Sequence, residues 1–559
     1  MDRNFFLAMA LSLLVLVVWS TWQASQPPPP EQPPGDEVVG RELPGLPEAP
    51  ERPAPAPREV TQPPGAAPQA PMPVPESVRE RQVTVSTGLY EARLTTHGGA
   101  LAHWELRRYV DKSLPGGPAV ILTTLDTAGQ GELATPLLEL GLGDLSQAPY
   151  AVEQPDPLTV VFSRRQGNVS VRKTYRFEAE SYGFRLAIEL ENGSQQSLLP
   201  TFEVRWLASK RGEPDFTDQA LVALHEGELE RAQVASLGKG SFLRGSSAAE
   251  ARTFVGGVDW AGAELRYFLS VLIPEVPREC SATFVPLEPG ASGSVGLAYR
   301  PIEVPPGRSA TREYRGYIGP KEPALLEAVG VGLERSIGQG WAWVAPLSRF
   351  FSWMLHLCHA VIPNYGVAII VLTILVRLVT APLTAKQMRS MKRMGEVQPR
   401  MREIQEKYKD DRQRQSQEMM KLYRETGANP LGGCLPMLLQ FPVFIGLYYA
   451  LQSSIDLRQA PFVGWIDDLS RPETLFTIPG LEIPVRVLPL VMGVSMILQQ
   501  RMTPSTMDPQ QARMMMTVMP VMFTVLFYQF PSGLVLYWMV SNLLAIGHQV
   551  LINRQKKPA

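Results

Sequence analysis

Five apolar runs in the last two hundred or so residues constrain this chain more than any other feature: about Tyr365 to Leu383, Leu435 to Leu451, Val485 to Gln500, Met514 to Phe530 and Leu534 to Ile552. A bilayer's hydrocarbon core is about 30 Å thick and is crossed by roughly 20 apolar residues wound as a helix, because a helix satisfies its own backbone polar groups. The third and fourth spans of the chain, at 435–451 and 485–500, are short for that task. A further run, Phe5 to Trp22, raises the expected count of spans to six. It reads as an uncleaved anchor, with a cleaved signal peptide as the alternative. Asp2 beside Arg3 makes a weak n-region, and bulky Trp22 sits where cleavage after Ala24 needs a small residue.

The loops orient these spans. From Lys386 to Arg424 twelve basic residues face six acids, whereas the loop between the third and fourth spans carries Asp456, Asp467, Asp468, Glu473 and Glu482 against Arg458 and Arg471. Cytoplasmic loops hold the excess of Lys and Arg. The basic loop and the basic tail (Arg554, Lys556, Lys557) are therefore expected inside. Alternation then places both termini in the cytoplasm and residues 79–322 outside.

Residues 27–78 are roughly one-third proline as far as Pro75, a composition that favours extended chain and cannot pack a core. From 79 to 322 the pattern becomes short alternating segments, such as Val169–Phe177 and Phe184–Leu190, broken by Gly, Pro, Asn and Asp. Period-2 runs at such spacing predict a large antiparallel β-sandwich. No nucleophile triad, phosphate loop or metal-ligand spacing stands out there; His97 and His103 are commoner as turn and core residues than as a site. The three cysteines (Cys280, Cys358, Cys434) are widely spaced and suggest neither metal nor disulfide. Residues 323–363 are expected as amphipathic helices, the first with Leu325, Leu326, Val329, Leu333 and Ile337 on one side. The second, aromatic-rich from Trp341 to Pro363, suits the membrane interface.

Within 384–430, Met394, Val397, Met401, Ile404 and Tyr408 step by three and four, and Met419, Met420, Leu422 and Tyr423 resume the stripe after Lys409–Arg412. That pattern predicts a helical hairpin. Its exposed bases, Arg400, Arg402, Lys407, Lys409 and Arg412, make it either a solvated connector or a docking platform for a ribosome or targeting factor. Arg377 is the sharpest single residue. It lies about six residues, on the order of 9 Å, from the second span's cytoplasmic end. There a guanidinium costs roughly 2.5–3.5 kcal/mol unless it meets water or a partner. Snorkelling to the interface competes with a fixed charge in a wet cavity. Thr373 is one turn earlier on the same face, with Thr380 and Thr384 beyond. Gln440, Thr517, Thr524, Ser541 and Asn542 add polarity to the other spans, while the last five spans contain no Asp or Glu. Ion-coupled transport normally needs such carboxylates, so it loses ground. Met492, Met496, Met502, Met507, Met514, Met515, Met516, Met519 and Met522 supply adaptable apolar surface.

Three ungapped stretches, Asn429–Pro442, Leu457–Phe462 and Phe530–Tyr537, resemble the YidC/Oxa/Alb family of membrane protein insertases. The likeness is strong from about 340 to 552. The order anchor, linker, β-domain resembles the family's Gram-negative form. The resemblance implies a five-helix core with a periplasmic β-supersandwich and no enzymatic activity or cofactor. It also implies a hydrophilic groove open to cytoplasm and lipid that carries Arg377. Thr373 matches the family's client-contacting threonine, and Tyr537 with Trp538 its aromatic pair, Trp538 standing where some members carry Tyr. The partners implied are nascent membrane proteins and the Sec translocon, with the ribosome and the signal recognition particle receptor at the hairpin, the lipid bilayer, and no specific nucleic acid.

Overall fold

The computed structural model describes residues 80–111, 116–123, 131–211, 219–238, 251–338, 340–341, 343–409, 411–426, 435–481, 483–502 and 509–554. Inside helices it leaves undescribed the side chains at 386–396, 412, 435–439, 509–515 and 552–554. The anchor and linker expected at 1–26 and 27–78, and most of the tail at 553–559, lie outside the described residues.

The alternating segments form antiparallel sheets. A nine-stranded sheet runs in spatial order Glu228–Gln233, Ala220–His225, Val258–Glu264, Phe268–Pro274, Arg308–Pro320, Gly183–Asn192, Val169–Phe177, Thr159–Gln166 and Ala151–Asp156. Val169–Phe177 keeps a strict in-and-out alternation, so one face is buried, whereas Phe268–Pro274 is buried at every position because both its faces are covered. A four-stranded sheet (Gln82–Ser86, Tyr90–Thr95, Ala100–Val110, Ala119–Ile121) and another (Arg252–Phe254, Cys280–Glu288, Ser292–Tyr299, Val204–Ser209) share one hydrophobic core with it. Tyr90 stacks on Trp104 at 4.0 Å, and Phe177 and Phe184 close the cluster from the large sheet. Gly316 is needed there, since a Cβ would meet the Phe184 ring at 2.1 Å.

The helix expected across Leu325–Ile337 is broken. The chain forms α1 (Pro323–Val329), then a single 3-10 turn, Leu333–Ser336. Gly330, Val331 and Gly332 all adopt positive φ (78°, 53° and 73°), which no helix continues through. Leu326, Leu333 and Ile337 pack into the β-domain core. A charged triad pins this turn: buried Glu264 pairs with buried Lys321 at 2.7 Å and with the more exposed Arg231, and Arg231 Nη2 donates to the Ser336 carbonyl at 2.9 Å. Burial pushes Glu264 up, but Lys321 and Arg231 outweigh it and hold the carboxyl below its ordinary value.

The helical part contains α2 (Ala345–Val361), α3 (Tyr365–Lys407), α4 (Arg412–Thr426), α5 (Leu435–Ser453), α6 (Val487–Met502), α7 (Pro509–Phe527) and α8 (Ser532–Arg554). Asn364 caps α3, its Oδ1 accepting from Val367 N at 3.0 Å. The apolar run at the start of α3 and the first arm of the basic hairpin are one continuous helix. Among the described residues, Tyr365–Ala385 and Ser532–Leu551 are long and apolar enough to cross a bilayer, and Val487–Met502 and Met516–Phe527 are shorter apolar helices. The run expected over 514–530 is displaced: α7 ends at Phe527, and a turn with Pro531 leads into α8.

The β-domain is fastened to the loop between α5 and α6. Arg458 Nη2 donates to the Val110 carbonyl at 2.9 Å while its guanidinium lies 5.5 Å from the Phe268 ring centre. Arg471 bridges Asp111 (3.8 Å) and Asp468 (3.5 Å), and Ile455 joins the β-domain core.

Candidate functional site: a polar seam among the helices

Helix α8 packs against α3 and α6 and touches α5, so a polar group on the faces where they meet must find a partner within the bundle. Arg377 finds one on α8. Its Nε donates to Ser541 Oγ at 3.0 Å and its Nη2 to the same oxygen at 2.5 Å. Among the described residues no carboxylate pairs with it. One turn before Ser541 on α8, the Tyr537 hydroxyl lies within hydrogen-bonding reach of Ser541 and accepts from Gln440 Nε2 of α5 at 2.8 Å. Arg377, Ser541, Tyr537 and Gln440 thus form a connected chain of polar groups across three helices. Asn542, the next residue on α8, turns to α6 and donates to Ser495 Oγ at 3.1 Å, and Ser495 in turn donates to the Met492 carbonyl at 2.6 Å.

Other residues expected in the groove are not joined to this chain. Thr373 is fully buried and donates to the Ile369 carbonyl of its own helix at 2.6 Å. Thr380 and Thr384 likewise bond back to their own helix at 2.9 and 3.0 Å. Thr524 does the same to Pro520 at 2.7 Å and packs against Gly493, where a Cβ would meet its hydroxyl at 2.2 Å. Thr517 is exposed on α7. Such back-bonding satisfies a hydroxyl in an apolar setting without a neighbour.

The two aromatics expected to act together diverge. Tyr537 enters the polar seam, whereas Trp538 enters an aromatic cluster, with ring centres 4.8 Å from Phe444, 5.0 Å from Phe527 and 5.9 Å from Phe523. Successive helix residues differ by 100° in direction, so one dipeptide serves two neighbourhoods. The methionines divide as well: Met492 and Met496 are buried in α6, while Met516 and Met522 face outward from α7.

The hairpin arms meet through Val397, Met401 and Leu422, with Ile404, Met419 and Tyr423 packed against them. Met420, expected on this stripe, faces outward. Arg400, Arg402, Lys407 and Lys409 are exposed. The Arg412 side chain lies outside the described residues, and Asp411 Oδ1 caps α4 by accepting from Arg414 N at 2.9 Å. In the β-domain His97 lies 3.8 Å from Glu80, and His103 is within 3.2 Å of Glu105, each with its own partner.

Ser495 is the seam residue that sequence reasoning missed. A serine within the short apolar run 485–500 was the available signal, but nothing local distinguishes it from Thr517. The arginines that bind the β-domain, Arg458 and Arg471, were legible only as loop charge.

An integral membrane protein with a helical core and a β-rich domain outside the bilayer is the class that this fold and seam define. Residues 357–559 match the family model described as 60Kd inner membrane protein. Residues 82–354 match that of the YidC periplasmic domain. The membrane protein insertase YidC of Pelobacter propionicus is 36% identical over 573 residues, 99% of each chain. That of Syntrophus aciditrophicus is 34% identical over 574 residues, covering 99% of this chain and 100% of the relative. A crystal structure described as an active YidC insertase with the first transmembrane domain resolved aligns at 18% identity and TM-score 0.37, covering 85% of this chain and 92% of that one. The chain belongs to the YidC family of membrane protein insertases.

Proposed function

We propose that this protein inserts hydrophobic segments of nascent membrane proteins into the inner membrane through a groove, open to cytoplasm and lipid, whose fixed charge is Arg377. The N-terminal run and the five later ones cross the membrane, with both termini in the cytoplasm and the β-domain in the periplasm. The observation that carries the reading is an arginine within an apolar helix whose hydrogen bonds go to a neutral hydroxyl, leaving its charge uncompensated by any carboxylate among the described residues. A client's polar segment enters the groove, and its acidic groups are attracted to Arg377. A close pair at an effective dielectric of 20 is worth at most about 4 kcal/mol before desolvation. The client's apolar segment then passes along α5 and α7 into lipid, each Leu-like residue contributing roughly 0.3–0.6 kcal/mol. No bond is made or broken, so the protein accelerates insertion without enzymatic chemistry. It acts alone or beside the Sec translocon, and the exposed bases of the hairpin receive the ribosome or the signal recognition particle receptor.

The bonds to Ser541 favour one second reading, in which Arg377 fastens α3 to α8 and has no client. Protease protection of a short single-span client added to proteoliposomes separates the two. A groove charge predicts that Arg377→Ala abolishes most protein-dependent protection while Ser541→Ala is mild. A fastener predicts that both variants lose protection alike and lose thermal stability together.

A further inference from the structure

The loop between α5 and α6 carries a small antiparallel hairpin, Phe476–Ile478 paired with Ile483–Val485, with Gly480 at φ 85° in its turn. A two-stranded ribbon in water is marginal and normally alternates apolar with polar side chains. This one does not. Between Glu473 and Arg486 the sole charged residue in the sequence is Glu482. Phe476 is 54% exposed, Leu481 67% and Ile483 47%, and Leu475 beside them is exposed too. Exposed apolar ribbon edges are an aggregation hazard unless something covers them.

The hairpin leads directly into α6, whose outward side chains Leu490, Val491, Val494 and Leu498 form the apolar face a membrane helix turns to lipid. The hairpin belongs to the same loop whose Arg458 and Arg471 hold the β-domain, so it lies at the β-domain end of α6. Its base is held to the end of α7: the Tyr528 hydroxyl donates to the Pro484 carbonyl, Arg486 donates to the Tyr528 carbonyl, and the Arg486 guanidinium sits 5.0 Å from the Tyr528 ring centre. A Tyr–Arg pair beneath an apolar tip is the composition of a membrane–water interface.

We propose that the Phe476–Val485 hairpin is a lipid anchor, lying in the headgroup–acyl boundary of the leaflet on the β-domain side. It extends the protein's lipid contact beyond the ends of its helices.

The test uses the full chain in proteoliposomes, with Cys280, Cys358 and Cys434 changed to alanine and a nitroxide placed at Leu481→Cys or Phe476→Cys. Power saturation is compared with reference labels at Val494→Cys in the lipid-facing stripe and Leu287→Cys on the exposed β-domain. The hairpin labels should resemble Val494, several-fold more accessible to oxygen than to a water-soluble nickel chelate. Accessibility resembling Leu287 would mean that the hairpin stands in water and would overturn the proposal. Low accessibility to both reagents would mean a protein cover, such as a second copy, and would overturn it equally. If the cysteine-free protein fails to fold, the unaltered chain is irradiated in vesicles containing a phospholipid with a diazirine near the headgroup end of its acyl chain. Lipid adducts on residues 474–486 are then expected, and adducts on α6 without any on 474–486 would refute the anchor.

Discussion

Lys173 is wholly buried in the β-domain, its ammonium held by the carbonyls of Gly98 (3.0 Å) and Leu133 (2.9 Å) and 5.7 Å from the Tyr175 ring centre. Burial lowers its pKa to about 7. An unfolded lysine keeps its proton to near its ordinary value of 10.5, so between those two values the unfolded state binds more protons. Stability of the β-domain should therefore rise with pH across that window, with a slope of up to about 1.4 kcal/mol per pH unit. Lys173→Met should abolish this slope in thermal unfolding followed by near-ultraviolet circular dichroism, and a slope unchanged in the variant would refute the assignment. Arg377 makes the opposite use of burial. It cannot shed its charge as a lysine can, so it remains a cation in an apolar helix. Arg377→Lys should recover part of the insertion lost in Arg377→Ala, because it restores charge without the two-nitrogen grip on Ser541; recovery would be read from the same client-protection measurement.

At the scale of elements, α2 is tied to the loop after α5 by one histidine. His356 Nδ1 donates to the Ser352 carbonyl at 2.6 Å and Nε2 to Asp456 Oδ2 at 2.7 Å, so both ring nitrogens act as donors, as in an imidazolium. The hydrogen bond to Asp456 raises the pKa of His356 above its ordinary 6.5, against the opposing effect of burial. A raised histidine stabilises fully below its unfolded value, and that stabilisation is lost as pH rises through the folded one. Amide exchange in Ala345–Val361 should therefore quicken as pH climbs beyond that value, after correction for the intrinsic pH dependence of exchange. His356→Gln should remove the step. The basic hairpin behaves differently, since Val397, Met401 and Leu422 hold its arms by apolar contact that does not titrate. Met401→Ala should loosen the arms while leaving the Arg377 seam unaltered, lowering thermal stability by about 2–5 kcal/mol at a fully packed site and less at this small one.

For the whole molecule, the proposed division of labour rests on which segments supply the seam. Arg377, Gln440, Ser495, Tyr537, Ser541 and Asn542 all belong to helices, and none lies in the β-domain. Deletion of 80–320 should leave client protection largely intact while lowering the melting temperature, because Arg458 and Arg471 lose Val110 and Asp111. Loss of all insertion in that variant, with the helices still folded, would show that the β-domain takes part in insertion. The link also explains how the domain can bear on the helices at all. The loop that Arg471 anchors receives the start of α8, with Ser532 N donating to the Arg471 carbonyl at 2.7 Å and Gly533 N to the Leu469 carbonyl at 2.9 Å.

The alternation of Val169–Phe177, the apolar runs beginning near Tyr365 and Leu534, and the Val397–Met401 stripe were all legible in the sequence. Each reflects a period repeated among near neighbours, and such periods decide local structure and which face is apolar. The oddity of Arg377 was legible too, since a guanidinium in an apolar run is costly wherever the run folds. Its partner was not. Ser541 stands 164 positions away, and nothing within α8 ranks it above Thr517, which faces outward, or Thr524, which bonds back to its own helix. The break at Gly330–Gly332 escaped the periodicity because leucines on one side of a helix and leucines buried in a neighbouring core have the same spacing. Sequence by itself determined a membrane core, a β-rich domain and a displaced charge. Tertiary structure alone decided which polar groups meet, because a hydrogen bond across a bundle depends on the rotation and height of two helices set by packing far from either residue.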